Sequence, residues 1–228
     1  MCFSATASFG TTVVLTAIGI ASLKKASTRR AIPFAAIPIM FAIQQFSEGM
    51  LWIALADPVH DWWRRFPVYF FLVFAQLIWP MWVPFAVTLL EKNPVRRRIL
   101  AVFLLMGLSI SAYLLYCLVI YEISAQIESG HIRYTLNFPF TLSWFTGILY
   151  FIPTVVTLFV SSAKRMIFLA VPVLLSFVLA KVFFEDHLIS VWCFFAAILS
   201  MIILAITSKF NDEAEPEALV SKPGLPAW

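Results

Sequence analysis

Charge is what this sequence has least of. Asp, Glu, Lys and Arg make up 12% of its 228 residues, and histidine occurs only three times. A chain of this length with so few charged side chains cannot clothe a water-facing surface. The formal net charge of +4 sits in short clusters between apolar blocks rather than along one face, which excludes a nucleic-acid partner. Cysteine is as scarce, with three copies and no C-x-x-C, and neither H-x-x-x-H nor H-E-x-x-H is present. The spacings that by themselves announce zinc are therefore missing. No basic stretch precedes the first apolar run and no small-residue cleavage pattern follows it, so that run is read as a helix and not as a removed signal peptide. No internal repeat is evident.

Apolar residues, by contrast, account for 62% of the chain and come in blocks of about 20, the length an α-helix needs to cross a bilayer. Seven blocks can be drawn, at about 8–23, 31–56, 66–90, 98–121, 139–161, 166–184 and 188–208. Basic residues follow the odd-numbered blocks: Lys24, Lys25, Arg29 and Arg30; then Lys92, Arg96, Arg97 and Arg98; then Lys164 and Arg165; then Lys209 and Lys222. Arg64, Arg65, Arg133 and Lys181 are left for the other side. The positive-inside rule then predicts an all-α polytopic protein with seven transmembrane helices, N-terminus outside and C-terminus cytoplasmic. Residues 1–208 form its single transmembrane domain. The tail, 209–228, is acidic, contains proline and is predicted to be flexible and cytoplasmic.

One connection departs from helix. In YEISAQIESGHIRYTLNF, residues 121–138, apolar and polar residues alternate on either side of Ser129-Gly130. This predicts an extracytoplasmic β-hairpin between helices 4 and 5. A two-residue turn there opposes Glu128 to His131, Ile127 to Ile132, Gln126 to Arg133 and Ile123 to Leu136, so that like meets like on both faces. A two-stranded ribbon is marginal alone. Its apolar face is expected to lie across the outer helix ends or against a partner.

With this topology the reactive residues gather on the outer side. Glu48 lies eight residues before the outer end of helix 2, about 12 Å of rise, with Gln44 one turn deeper and Gln45 beside it. A carboxylate at that depth is expensive unless it faces a protein interior or a water-filled cavity. Cys2, His187 and Cys193 fall on the same side, and with Glu48 they make a mixed O, N, S set suited to a divalent transition metal such as zinc. Plainer roles stand beside this one. Lys181 could neutralise Glu48 as a buried ion pair, or pair with Glu185 one turn on; a lone carboxylate could also couple protons or cations. Cys117 and Cys193 could be small hydrophobes, and Trp62, Trp63 and Trp79 packing aromatics. Ser8, Thr12 and Thr16 could mark close helix packing. Pro80 and Pro84 deprive the carbonyls of Gln76 and Pro80 of donors, which bends a helix or lines a cavity.

The opening MCFSATASF, together with FAIQQFSEGMLW and VWCFFAA, resembles an uncharacterised family of small bacterial polytopic membrane proteins. The resemblance implies a bacterial inner (cytoplasmic) membrane and carries no activity. Its motifs fall on Cys2, Ser4, Gln44, Gln45, Glu48, Trp52, Trp192 and Cys193. Two familiar seven-helix classes fit poorly. A retinal protein needs a lysine well inside helix 7, and 188–208 has none. The alkaline ceramidase-like hydrolases use Ser, Asp and three His around zinc, whereas helix 3 here lacks Asp and no His lies within helices 2 to 6. The expectation is a membrane protein with an outward-opening site that binds a metal ion or small ligand through Ser4, Gln44, Gln45, Glu48 and Trp52, with Cys2, Glu48, His187 and Cys193 as metal ligands. The alternatives are a membrane-embedded metal-dependent hydrolase and a non-catalytic accessory or scaffold subunit that meets a partner protein at its outer face. Whether it is an enzyme is left open.

Overall fold

The structure is a computed structural model that describes residues 4–57, 59, 62–128, 130–139, 144–183 and 195–220. Helix α1 (Ala5–Lys24) begins where Ser4 Oγ accepts from the Ala7 N–H at 3.2 Å, an N-cap that satisfies one of the helix's orphan donors. The helix thus starts three residues earlier than the apolar block, and the Ser4–Ser8 run is a first helical turn. Next come α2 (Ile32–Ala35) and α3 (Ile37–Ala56), parted at Ala36. The sequence reads 31–56 as one helix, but Pro38 has no N–H for the Phe34 carbonyl, so the ladder breaks in the turn before it.

The third block is α4 (Arg65–Leu72), a π-helical segment (Val73–Ile78) and α5 (Trp79–Leu90). Carbonyls of the widened segment find side chains instead: Ser111 Oγ donates to Leu77 O at 2.7 Å and the Tyr150 hydroxyl donates to Ala75 O. Pro84 likewise leaves the Pro80 carbonyl without a helical donor, and Gly107 of α6 (Pro94–Ile120) packs against it. A Cβ on Gly107 would lie 1.9 Å from that oxygen. The fifth block, α7 (Trp144–Phe151), a second π-helical segment (Ile152–Val156) and α8 (Thr157–Val160), again has a proline, Pro153, at its widening. α9 (Ile167–Phe183) follows, and α10 (Ala196–Val220) ends the described chain. α10 continues past Lys209 as far as Val220, where Ala and Glu, both good helix formers, recur.

Between α6 and α7 stands the antiparallel pair β1 (Ile123–Glu128) and β2 (His131–Leu136), in the expected register: Glu128 opposite His131, Ile127 opposite Ile132, Ile123 opposite Leu136. Gly130 turns the chain at φ 77°, the left-handed conformation a tight hairpin requires. Ala125, Ile132, Tyr134 and Phe138 are buried against Leu51 and Trp52 of α3, Phe71 of α4 and Leu114 and Leu118 of α6. The Tyr134 and Phe71 rings stack with centroids 5.1 Å apart. The hairpin therefore covers one end of the helices with its own apolar face. A second apolar cluster, around Phe34, Ile37, Val87, Leu100, Met166 and Ile203, fills the other end.

Among the described residues five helices are long and apolar enough to cross a membrane: Ala5–Lys24, Ile32–Ala56, Arg65–Leu90, Pro94–Ile120 and Lys164–Phe183; Thr146–Val160 and Ala196–Lys209 are apolar but shorter. Large apolar side chains point outward as well as inward, with Val13 70% and Phe168 67% exposed. Gln44, Gln45 and Glu48 are meanwhile at most 2% exposed. That distribution suits lipid outside and a polar interior, and it suggests a membrane protein.

Candidate functional site

α3 supplies the polar interior. Ile37, near its start, belongs to one apolar cluster, and Leu51 and Trp52, in its later half, to the other. Between them Gln44, Gln45, Ser47 and Glu48 are all buried. Each is tied down by a named partner. Gln45 Nε2 donates to Glu48 Oε2 at 2.9 Å. Trp79 Nε1 donates to Gln44 Oε1 at 2.7 Å, its ring lying 4.2 Å from that of Phe41. The Ser47 hydroxyl donates to the Pro67 carbonyl at 3.0 Å. Successive turns thus lock α3 to α5 and α4 and fix the rotamer of the glutamine next to Glu48.

α1 closes the other side. A Cβ on Gly49 would meet the Phe9 ring at 2.8 Å, and one on Gly19 would meet Ile39 at 2.5 Å, so the two helices run antiparallel in near backbone contact. Ser8, next to Phe9 on α1, is fully buried. Among the described residues, Ser8 Oγ, Trp52 Nε1, Thr157 Oγ1 and Ser200 Oγ are buried polar atoms without a hydrogen-bond partner. Two of these four belong to the α1–α3 pair. Trp52 lies one turn from Glu48 on the same helix face, on the hairpin side.

Of the residues singled out from the sequence, Gln44, Gln45, Glu48 and Trp52 share this region of α3, while the Ser4 hydroxyl is engaged as the cap of α1. Cys2, His187 and Cys193, the other proposed metal ligands, lie outside the described residues, as do His60, Glu185 and Trp192. Among the described residues no three His, Cys, Asp or Glu side chains group to hold a metal. Lys181 is exposed, whereas Glu48 is fully buried. Cys117 is fully buried between Leu114 and Leu118, a small hydrophobe in an apolar cluster. Trp79 is more than the packing aromatic its sequence context implies. An indole in mid-span beside a mid-span glutamine on another helix is the signal that pairs them.

A second polar knot lies at the opposite end of α6 from the hairpin. Glu91, just past α5, accepts from the Ser162 N–H at 2.6 Å, the Ser162 hydroxyl and the Asn93 N–H at 2.8 Å. Arg96 donates to the carbonyls of Ser161 at 2.9 Å and Val160 at 3.2 Å. Burial pushes the Glu91 carboxyl up, but the hydrogen bonds from Ser162 and Asn93 and the nearby Arg96 charge outweigh it, leaving its pKa below the ordinary value. These contacts clamp the α5–α6 and α8–α9 connections together. They cap helix ends and have no opening for a ligand assigned to them.

A family model described as a family of unknown function (DUF6629) matches residues 1–218. No curated protein and no solved structure matches the chain.

Proposed function

The chain belongs to that family of unknown function, which brings no activity with it, and we propose from the geometry of α3 that it is a membrane protein whose polar interior binds a divalent cation or small polar ligand at Glu48. In this reading seven helices span a bacterial inner membrane, the N-terminus and hairpin lie outside, and the basic connections face the cytoplasm. The hairpin roofs the outer end of the bundle, and the site opens toward it. Zinc is the first ion to test, with Cys2, His187 and Cys193 as the candidates to complete its coordination.

The observation that carries the proposal is Glu48 itself. It is wholly buried between two apolar clusters, about 12 Å of helical rise from the end of α3, and accepts from Gln45. A carboxylate charge at that depth in an apolar span is costly unless it is paired or coordinates a cation. Metal analysis of the detergent-purified protein tests this. The wild-type chain is expected to retain a stoichiometric divalent ion or to take up added Zn2+. Glu48→Gln, which keeps the shape and the Gln45 contact, is expected to bind none while eluting as the same folded species. Equal Zn2+ uptake by both proteins would remove Glu48 from the site.

A further inference from the structure

Away from Glu48, α1 and α3 leave a groove of about 280 Å³ between them, lined by Thr12, Thr16, Ile39, Ala42, Ile43 and Phe46. It starts one turn from Gly19, where the two helices touch at Ile39, and ends where the Phe9 and Phe46 rings meet edge to face with centroids 5.5 Å apart. Ile43 and Phe46 are exposed, so the groove opens outward. Its two hydroxyls spend their protons inside α1: Thr12 donates to Ser8 O at 2.9 Å and Thr16 to Thr12 O at 2.8 Å. A lining with no side-chain donor to offer suits hydrocarbon. From Ile39 to Phe46 α3 rises about 10 Å, so the groove is a channel about 6 Å across. A packed helix, about 10–12 Å across, does not fit there; a single acyl chain does.

Charge supplies the other half of the ligand. Lys24 ends α1, and Lys25, Arg29 and Arg30 follow it before α2, all four exposed. The chain has no Asp or Glu before Glu48, and Glu48 lies toward the other end of α1, next to the Gly49 that meets Phe9. Thr12 is twelve residues from Lys24, about 18 Å of rise, which matches a lipid reaching from its headgroup through half a hydrocarbon core of about 30 Å. A basic cluster beside a membrane span attracts anionic headgroups. We propose that this face of the α1–α3 pair holds one anionic glycerophospholipid, its phosphate on the Lys24–Arg30 turn and one acyl chain in the groove. The inference rests on the chain being a membrane protein and is independent of a cation at Glu48. A zwitterionic lipid would answer the groove but not the four positive charges.

Native mass spectrometry of the full-length protein in detergent tests this, with phosphatidylglycerol, phosphatidylcholine of the same chain length, or glycerol phosphate as the added probe. The wild type is expected to hold one phosphatidylglycerol about tenfold more tightly than phosphatidylcholine, and no glycerol phosphate. Lys24→Gln with Lys25→Gln is expected to bring phosphatidylglycerol down to the phosphatidylcholine level. Arg97→Gln with Arg98→Gln, which takes the same charge from another exposed basic turn, is expected to leave the bound lipid in place. Ile43→Trp and Thr16→Leu put bulk into the groove from different helices, and each is expected to weaken phosphatidylglycerol binding, so a folding defect in one does not silence the other. Equal retention of the two lipids by the wild type would overturn the headgroup assignment, as would an equal loss in the two charge variants. Unchanged lipid binding in both groove variants, or glycerol phosphate held as tightly as the lipid, would overturn the acyl-chain site. A dimer that Ile43→Trp dissociates would make a second copy of the chain the occupant and overturn the proposal as well.

Discussion

Glu48 and Glu91 are both buried carboxylates, one in mid-helix and one just past a helix end. Glu91 is surrounded by donors, two backbone N–H groups and the Ser162 hydroxyl, with Arg96 close by. Because its folded pKa is depressed, the stabilisation it gives is fully present above its ordinary value of 4.5 and is lost as the pH falls through the lower folded value. Glu91→Gln is expected to destabilise the neutral protein by about 1–3 kcal/mol, through hydrogen bonds that lose their charged acceptor. It should also flatten the fall in unfolding temperature between neutral pH and about pH 3, which thermal denaturation across that range measures. Glu91 caps helix ends, whereas Glu48 lies mid-helix in an apolar span, and that placement is why a ligand is proposed for it and not for Glu91. The glutamines and Glu48 are legible in the sequence because polar side chains stand out in an apolar helix. Their partners are not. Trp79 is an ordinary residue for a membrane helix until the fold sets it beside Gln44, and Glu91 reads as a charge that simply ends a helix.

At the scale of elements, legibility follows periodicity. The hairpin is foretold to the residue because a period of two and a two-residue turn leave one register that puts Ile132 and Tyr134 on the same covered face. The helices are foretold as blocks but not as continuous rods. The break at Ala36 and the widened segments Val73–Ile78 and Ile152–Val156 depend on which carbonyls prolines orphan and which neighbouring side chains adopt them. Tyr150 and Ser111 do so from other helices, and no local pattern announces that. Gly107 makes the point testable. Since a methyl group there would run into the backbone oxygen of Pro80, Gly107→Ala is expected to cost about 1–3 kcal/mol by forcing α5 and α6 apart, despite alanine's better helix propensity. A thermal-unfolding comparison with wild type checks it; a stability gain would mean that the two helices are not in backbone contact.

For the whole molecule, the account depends on an inside-out distribution of polarity and on which end faces which side. The hairpin occupies one end of α6 and Arg96, Arg97 and Arg98 the other, across a helix of 27 residues. In a background without the native cysteines, Gln126→Cys is expected to react with an impermeant thiol reagent added outside intact cells. Arg97→Cys, also at an exposed position, is expected to react only after permeabilisation. Reversed labelling would turn the site toward the cytoplasm. The most direct measurement of the central claim is anomalous diffraction from crystals of the protein grown with Zn2+. An anomalous peak is expected within coordination distance of the Glu48 carboxylate. A map with no peak there, with Glu48 enclosed by protein side chains and Zn2+ absent or bound only elsewhere, would contradict it.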